Sequence, residues 1–191
     1  MRGLKRGDKM NGFLEVQNLL ELEQAGRWNS AKEILYNLWY EDKNDIDKLC
    51  RVLAECWYVL SAWDCCTRNE TLSFDAFKAI LAEVMQYGLT HFSTNADFLW
   101  KSGYMISLFP YLFYEESSES LYNEWEQKGK SMLYSATQID PDNLISKVLC
   151  LGTHAFSDEY LNSKMKLAPL LYAAFPGHTA IEVYFKDVLS N

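Results

Sequence analysis

Proline and glycine are scarce in this chain, with 4 and 9 residues among 191. Valine, isoleucine and threonine do not gather into short alternating runs bounded by turns, so strands are not indicated, and helical periodicity dominates. No apolar stretch approaches the roughly 20 residues needed to span a bilayer. The basic N-terminus is not followed by the apolar run of a secretory signal. Histidine is limited to His91, His154 and His178, far apart and unpaired with carboxylates at helical spacing. No nucleophile–base–orienter set can therefore be assembled. A Gly-rich phosphate loop, an H-E-x-x-H helix and a G-x-S-x-G elbow are all missing. The chain is read as a non-enzyme without a cofactor.

Five cysteines occur, Cys50, Cys56, Cys65, Cys66 and Cys150, an odd number with no Cys-x-x-Cys pair. This usage points to a reducing, cytoplasmic compartment. Cys65-Cys66 falls in a predicted loop, where a thiol is open to oxidation. A metal site needs further ligands at close spacing, and none is offered. The remaining three lie on apolar helices, where cysteine acts as a small hydrophobe.

Clustered positive charge is also lacking. Against 26 acidic residues stand 18 basic ones, a net charge of −8. Nucleic-acid binding is excluded as a main role, because neutralising phosphates takes grouped Lys and Arg. A basic protein partner is electrostatically compatible, and complementary charge speeds encounter.

What the chain has in quantity is apolar and aromatic side chain, 49% and 15% of its residues. That is enough for one α-helical domain over residues 13–191, preceded by a flexible leader at 1–12 in which Met10 is an alternative start. The periodicity predicts about nine helices joined by short loops. A first hairpin is expected over Phe13–Ala25 and Asn29–Tyr40, with the turn at Gly26 and a cap at Asn29 or Ser30. The run Glu41–Asp45 reads as a solvated turn. A helix over Ile46–Trp63 carries an apolar stripe of Leu49, Leu53, Cys56, Trp57 and Leu60. Ser73 is the expected cap of Phe74–Tyr87, with Gly88 as its stop, and Asn95 or Thr94 caps Asp97–Phe109. Pro110 ends that helix. Further helices are expected over Ser120–Gln138, Leu144–Phe156, Glu159–Phe175 (capped by Ser157 or Asp158) and Thr179–Leu189.

The series Gly26-x-Trp28-x-x-Ala31-x-x-x-Leu35-x-x-Leu38 resembles the tetratricopeptide repeat, in which a small residue lets two helices approach closely. Phe74-x-x-Phe77-x-x-x-Leu81-x-x-Val84 echoes it with Phe77 at the small position. A third echo pairs Leu99-x-x-x-Gly103-x-x-Ile106 with Gly129-x-x-x-Leu133-x-x-Ala136-x-x-x-x-Pro141, across a long insertion. The intervals Ala31–Phe77 and Phe77–Gly129 are 46 and 52 residues, whereas regular repeats fall near 34. The resemblance implies stacked antiparallel hairpins in an irregular solenoid or right-handed superhelical array, a fold that holds other proteins.

Aromatic residues exceed what one face of each helix requires, and exposed aromatics beside carboxylates anchor partners. Trp63, Glu115, Glu116, Glu119, Asp140 and Asp142 are the candidate partner-binding residues, chosen for their loop positions. By type and size the chain resembles bacterial immunity proteins, which implies capture of a basic toxin domain. A secretion chaperone or scaffold holding an effector in a concave face is the alternative within the binding class. A helical enzyme with an unrecognised site is the alternative outside it.

Overall fold

In the computed structural model, which describes residues 12–115, 118–153 and 157–190, the turn at Gly26 is a Schellman motif. Gly26 has φ 68°. The Arg27 N–H donates to the Leu22 carbonyl at 2.8 Å and the Gly26 N–H to that of Glu23 at 3.0 Å. A left-handed residue there satisfies carbonyls that the helix end leaves open. The turn joins α1 (Leu19–Gln24) to α2 (Trp28–Glu41). The expected start at Phe13 is overturned, because Asn18 is itself left-handed at φ 63° and confines α1 to six residues. The expected cap at Asn29 or Ser30 is also replaced. Helix α2 begins at Trp28 without a side-chain cap of its own, and the Glu70 carboxylate, 41 residues away, accepts from the Asn29 N–H at 3.0 Å. An anion at that end complements the helix dipole.

Helix α3 (Ile46–Ser61) starts on Asp45, whose carboxylate accepts from the N–H groups of Asp47 and Lys48. Part of the supposed solvated turn is therefore a cap. Residues Leu49 to Trp57 of α3 are buried without interruption, so the helix is enclosed rather than striped. It packs against α2, α5 (Phe74–His91), α6 (Ala96–Leu108) and α11 (Ala180–Ser190). A short α4 (Trp63–Cys66) opens the connection to α5. Ser73 and Asn95 cap α5 and α6 through their side-chain oxygens. Gly88 does not stop α5. It lies buried within the helix, where an added Cβ would sit 2.3 Å from the Phe98 ring.

After α6, residues Pro110–Phe113 form a 3-10 turn and the chain returns as α7 (Glu119–Ile139). The two helices meet at Gly103 and Gly129, where a Cβ on Gly129 would come within 2.8 Å of the Gly103 carbonyl. Helices α8 (Leu144–Gly152) and α9 (Asp158–Leu167) follow as another packed pair. Pro169 breaks the helix expected to run to Phe175, leaving a 3-10 turn at Ala168–Leu170 and the short α10 (Leu171–Ala174), because proline cannot donate to the ladder.

The fold is all-α, and no strand occurs among the described residues. Its last helix packs against α3 and α6. Ile181, Phe185 and Leu189 of α11 are buried. Tyr184 meets Trp57 of α3 at 5.4 Å, and Phe185 meets Trp100 and Tyr104 of α6 at 5.7 and 5.1 Å. Val188 and Leu189 share a cavity of about 340 Å³ with Val148 and Leu149 of α8. Among the described residues no helix is long and apolar enough to cross a membrane.

Candidate protein-binding surface

The residues singled out from sequence do not form one patch. Trp63 packs edge-on against Phe74, with centroids 5.1 Å apart at 74°. The Glu115 carboxylate is exposed and lies 3.9 Å from Lys78, whose ammonium also donates to the Tyr114 carbonyl at 2.9 Å. Phe74 and Lys78 are one turn apart on α5, so Trp63, Lys78 and Glu115 follow a single edge. Glu119 stands exposed in the first turn of α7. Glu116 lies outside the described residues. Asp140 ends α7 and Asp142 follows it, both exposed. At 1.5 Å per residue the length of α7 puts them roughly 30 Å from Glu119. The acidic edge around Glu115 also contains a cation, Lys78.

A second face, between α2 and α5, is richer in both aromatic and acidic groups. Glu33, Tyr36 and Tyr40 lie at i, i+3 and i+7 on α2 and so share one side. Tyr40 is 58% exposed, while Trp39 beside it is fully buried. Tyr87 reaches over from α5 and meets Trp39 at 5.5 Å and 79°. His91 stacks on Tyr87 at 3.9 Å. The Tyr36 hydroxyl donates to Glu83 at 2.9 Å; burial first, and that carboxylate second, raise its pKa. The Tyr87 hydroxyl donates to the Asn44 side chain at 3.4 Å. Glu33, Glu41, Asp42 and Glu83 are all exposed around these rings. The sequence offers Trp39-Tyr40 and the acidic run after it as separate features. Nothing in it shows that Tyr87, 47 residues further on, joins them.

Helix α11 packs on α3 and α6, and the Tyr104 and Tyr184 hydroxyls meet there at 2.7 Å. A shallower groove of about 670 Å³ runs along α9, lined by Leu161, Met165 and Ala168 with Asp158 and Lys164 at its rim.

Buried charge is concentrated where α1, α3 and α11 join. Arg51 donates to the Glu23 carboxylate at 2.8 Å and lies 3.2 Å from that of Glu55. The other Glu23 oxygen accepts from the Ala180 N–H at the start of α11. Burial pushes the Glu55 carboxyl up to about 8 against the opposing pull of Arg51. The cluster is enclosed and ties α1, α3 and α11 together.

Of the cysteines, only Cys65 is exposed, and all five are free thiols. Burial pushes Cys50 and Cys66 up to about 12. No group of three His, Cys, Asp or Glu residues among the described residues is placed to hold a metal ion. Comparison with protein-family models, with curated proteins and with solved structures returns no match.

Proposed function

We propose that this chain is a non-enzymatic protein-binding module that captures a basic protein, and that it acts as an immunity protein neutralising a toxin domain in bacterial competition. The observation that carries the reading is the α2–α5 face, where Tyr36, Tyr40 and Tyr87 stand among Glu33, Glu41, Asp42 and Glu83. Tyrosine supplies contact area at little entropic cost and is over-represented among the residues that dominate binding energy. Surrounding carboxylates steer a cationic partner and suppress acidic ones. The net charge of −8 extends that field over the molecule. Five free thiols suit a reducing cytoplasm.

The test is capture of the partner from the native host, followed by association kinetics with Glu33→Lys/Glu41→Lys. A folded basic domain is expected, with on-rate at low salt reduced at least tenfold by the double reversal and the difference shrinking as salt rises. An unchanged on-rate at low salt rejects the face. Selective capture of a short extended peptide replaces the immunity reading with the chaperone one.

A further inference from the structure

Lys43 is placed unlike Lys48, the nearby cation in the first turn of α3. Lys48 engages both nearby aspartates, its ammonium 3.4 Å from Asp42 and 3.8 Å from Asp45. Lys43 forms no ion pair among the described residues. Its ammonium lies over rings instead: 4.3 Å from the centroid of Tyr40, 4.9 Å from that of Trp39 and 5.8 Å from that of Tyr87. A cation within about 6 Å of an aromatic centroid is attracted by the ring quadrupole, and enclosure by several rings is the way proteins recognise ammonium groups.

Two of the three walls are held by groups other than Lys43. Trp39 is anchored in the core, and Tyr87 stands nearly perpendicular to it at 79°. Asn44 and His91 fix Tyr87 from the turn and from its own helix. The occupant, by contrast, is a side chain on an exposed turn. It can leave for water without breaking an ion pair. Glu41, Asp42 and Glu83 stand exposed nearby and favour replacement by another cation.

We propose that Trp39, Tyr40 and Tyr87 form a cation-recognition cage, filled by Lys43 in the free protein and entered by a lysine or arginine side chain of the bound partner. The identity of the occupant rests on the basic-partner reading above; the cation chemistry of the cage does not. Lys43 thus keeps Trp39 covered until a partner supplies a replacement.

The probe is tetramethylammonium, with tert-butanol as its neutral isostere, followed by NMR of the Trp39 indole N–H in the full chain. Lys43→Ala opens the cage, and Lys43→Gln removes the charge while keeping much of the length. Both are expected to bind tetramethylammonium saturably and at least tenfold more tightly than wild type. A tethered competitor has an effective concentration of about millimolar and must be displaced. Tert-butanol should bind at least tenfold more weakly than tetramethylammonium, and Tyr40→Ala added to Lys43→Ala should abolish binding. Equal binding by wild type and both Lys43 variants, equal binding of probe and isostere, or binding that survives Tyr40→Ala overturns the cage. If the probe behaves as expected while Glu33→Lys/Glu41→Lys leaves partner association unchanged, the cage stands and the basic-partner reading falls. If a basic partner binds through this face but the opened cage ignores the probe, the cage alone is overturned.

Discussion

Replacing Gly129 by alanine should destabilise the protein, although alanine is the better helix former. An ideal Cβ at Gly129 would lie 2.5 Å from the Ser107 amide nitrogen, 2.8 Å from the Gly103 carbonyl oxygen and 2.9 Å from the Ser107 Cα. All three atoms belong to the backbone of α6, so no rotamer change relieves the contact. Helices α6 and α7 must separate, which loosens Met105, Ile106, Met132, Leu133 and Ala136, all buried in the core they share. The propensity gain is about 1 kcal/mol. Overpacking typically costs about 1–3 kcal/mol, and contact with backbone belongs at or beyond the upper end of that range. The net expectation is a loss of about 2 kcal/mol, which lowers Tm by about 4–8 °C in a domain of this size. Urea unfolding followed by circular dichroism measures it, with an unchanged m-value confirming that stability alone moved. Gly103→Ala meets the same gap from the other side, its Cβ 2.9 Å from the Gly129 carbonyl, so the double variant should lose less than the two singles combined. Gly152→Ala is the control: its nearest neighbour is a Tyr160 ring carbon at 3.4 Å, and its change should stay within about 0.5 kcal/mol, as for surface substitutions without a special role. A Gly129→Ala protein as stable as wild type refutes the close-approach argument.

Other perturbations follow from the same geometry. Glu55 holds its proton in the folded state up to about 8, above the ordinary carboxylate value near 4.3, so its contribution is full below that value and is lost as pH rises through the folded one. Glu55→Gln should therefore flatten the decline in stability over that window, as measured by Tm against pH. Arg51→Met leaves the Glu23 carboxylate buried without its cation and should cost about 3–5 kcal/mol in chemical unfolding. Asn95→Ala removes an acceptor for the Asp97 and Phe98 amides and should cost about 1 kcal/mol in the same assay. A thiol reagent should modify Cys65 first in native buffer and reach the buried Cys50 and Cys56 only on unfolding; rapid labelling of either buried thiol would contradict the packing of α3.

Local features of the fold were readable in advance. The Gly26 turn, the caps at Ser73, Asn95 and Ser157, and the break at Pro110 each depend on atoms within a few residues. The small positions Ala31, Gly103 and Gly129 were legible for the same reason, since helical period alone sets which face they occupy. Expectations failed where a distant group intervened. Glu70 took over the cap assigned to Asn29 or Ser30. Phe98 closed over Gly88, which had looked like a helix stop. The single stripe expected on α3 became an enclosed helix because α2, α5, α6 and α11 surround it. At the surface, loop position, charge and aromatic character mark Trp63, Glu115 and Glu119 without reporting what lies beside them, such as Phe74 and Lys78 from α5.

The amino-acid sequence by itself determined that this chain is helical, roughly where its helices begin and end, and that it carries an excess of negative charge. Hydrogen bonds four residues apart and side-chain repeats of 3.6 residues are written along the chain. Only the tertiary structure decided that α11 packs on α3 and α6, that Arg51 bridges Glu23 and Glu55 where α1, α3 and α11 join, and that Tyr87 meets Trp39 and Lys43. Those contacts join segments tens of residues apart, and they arise from how the helices bury their large side chains against one another.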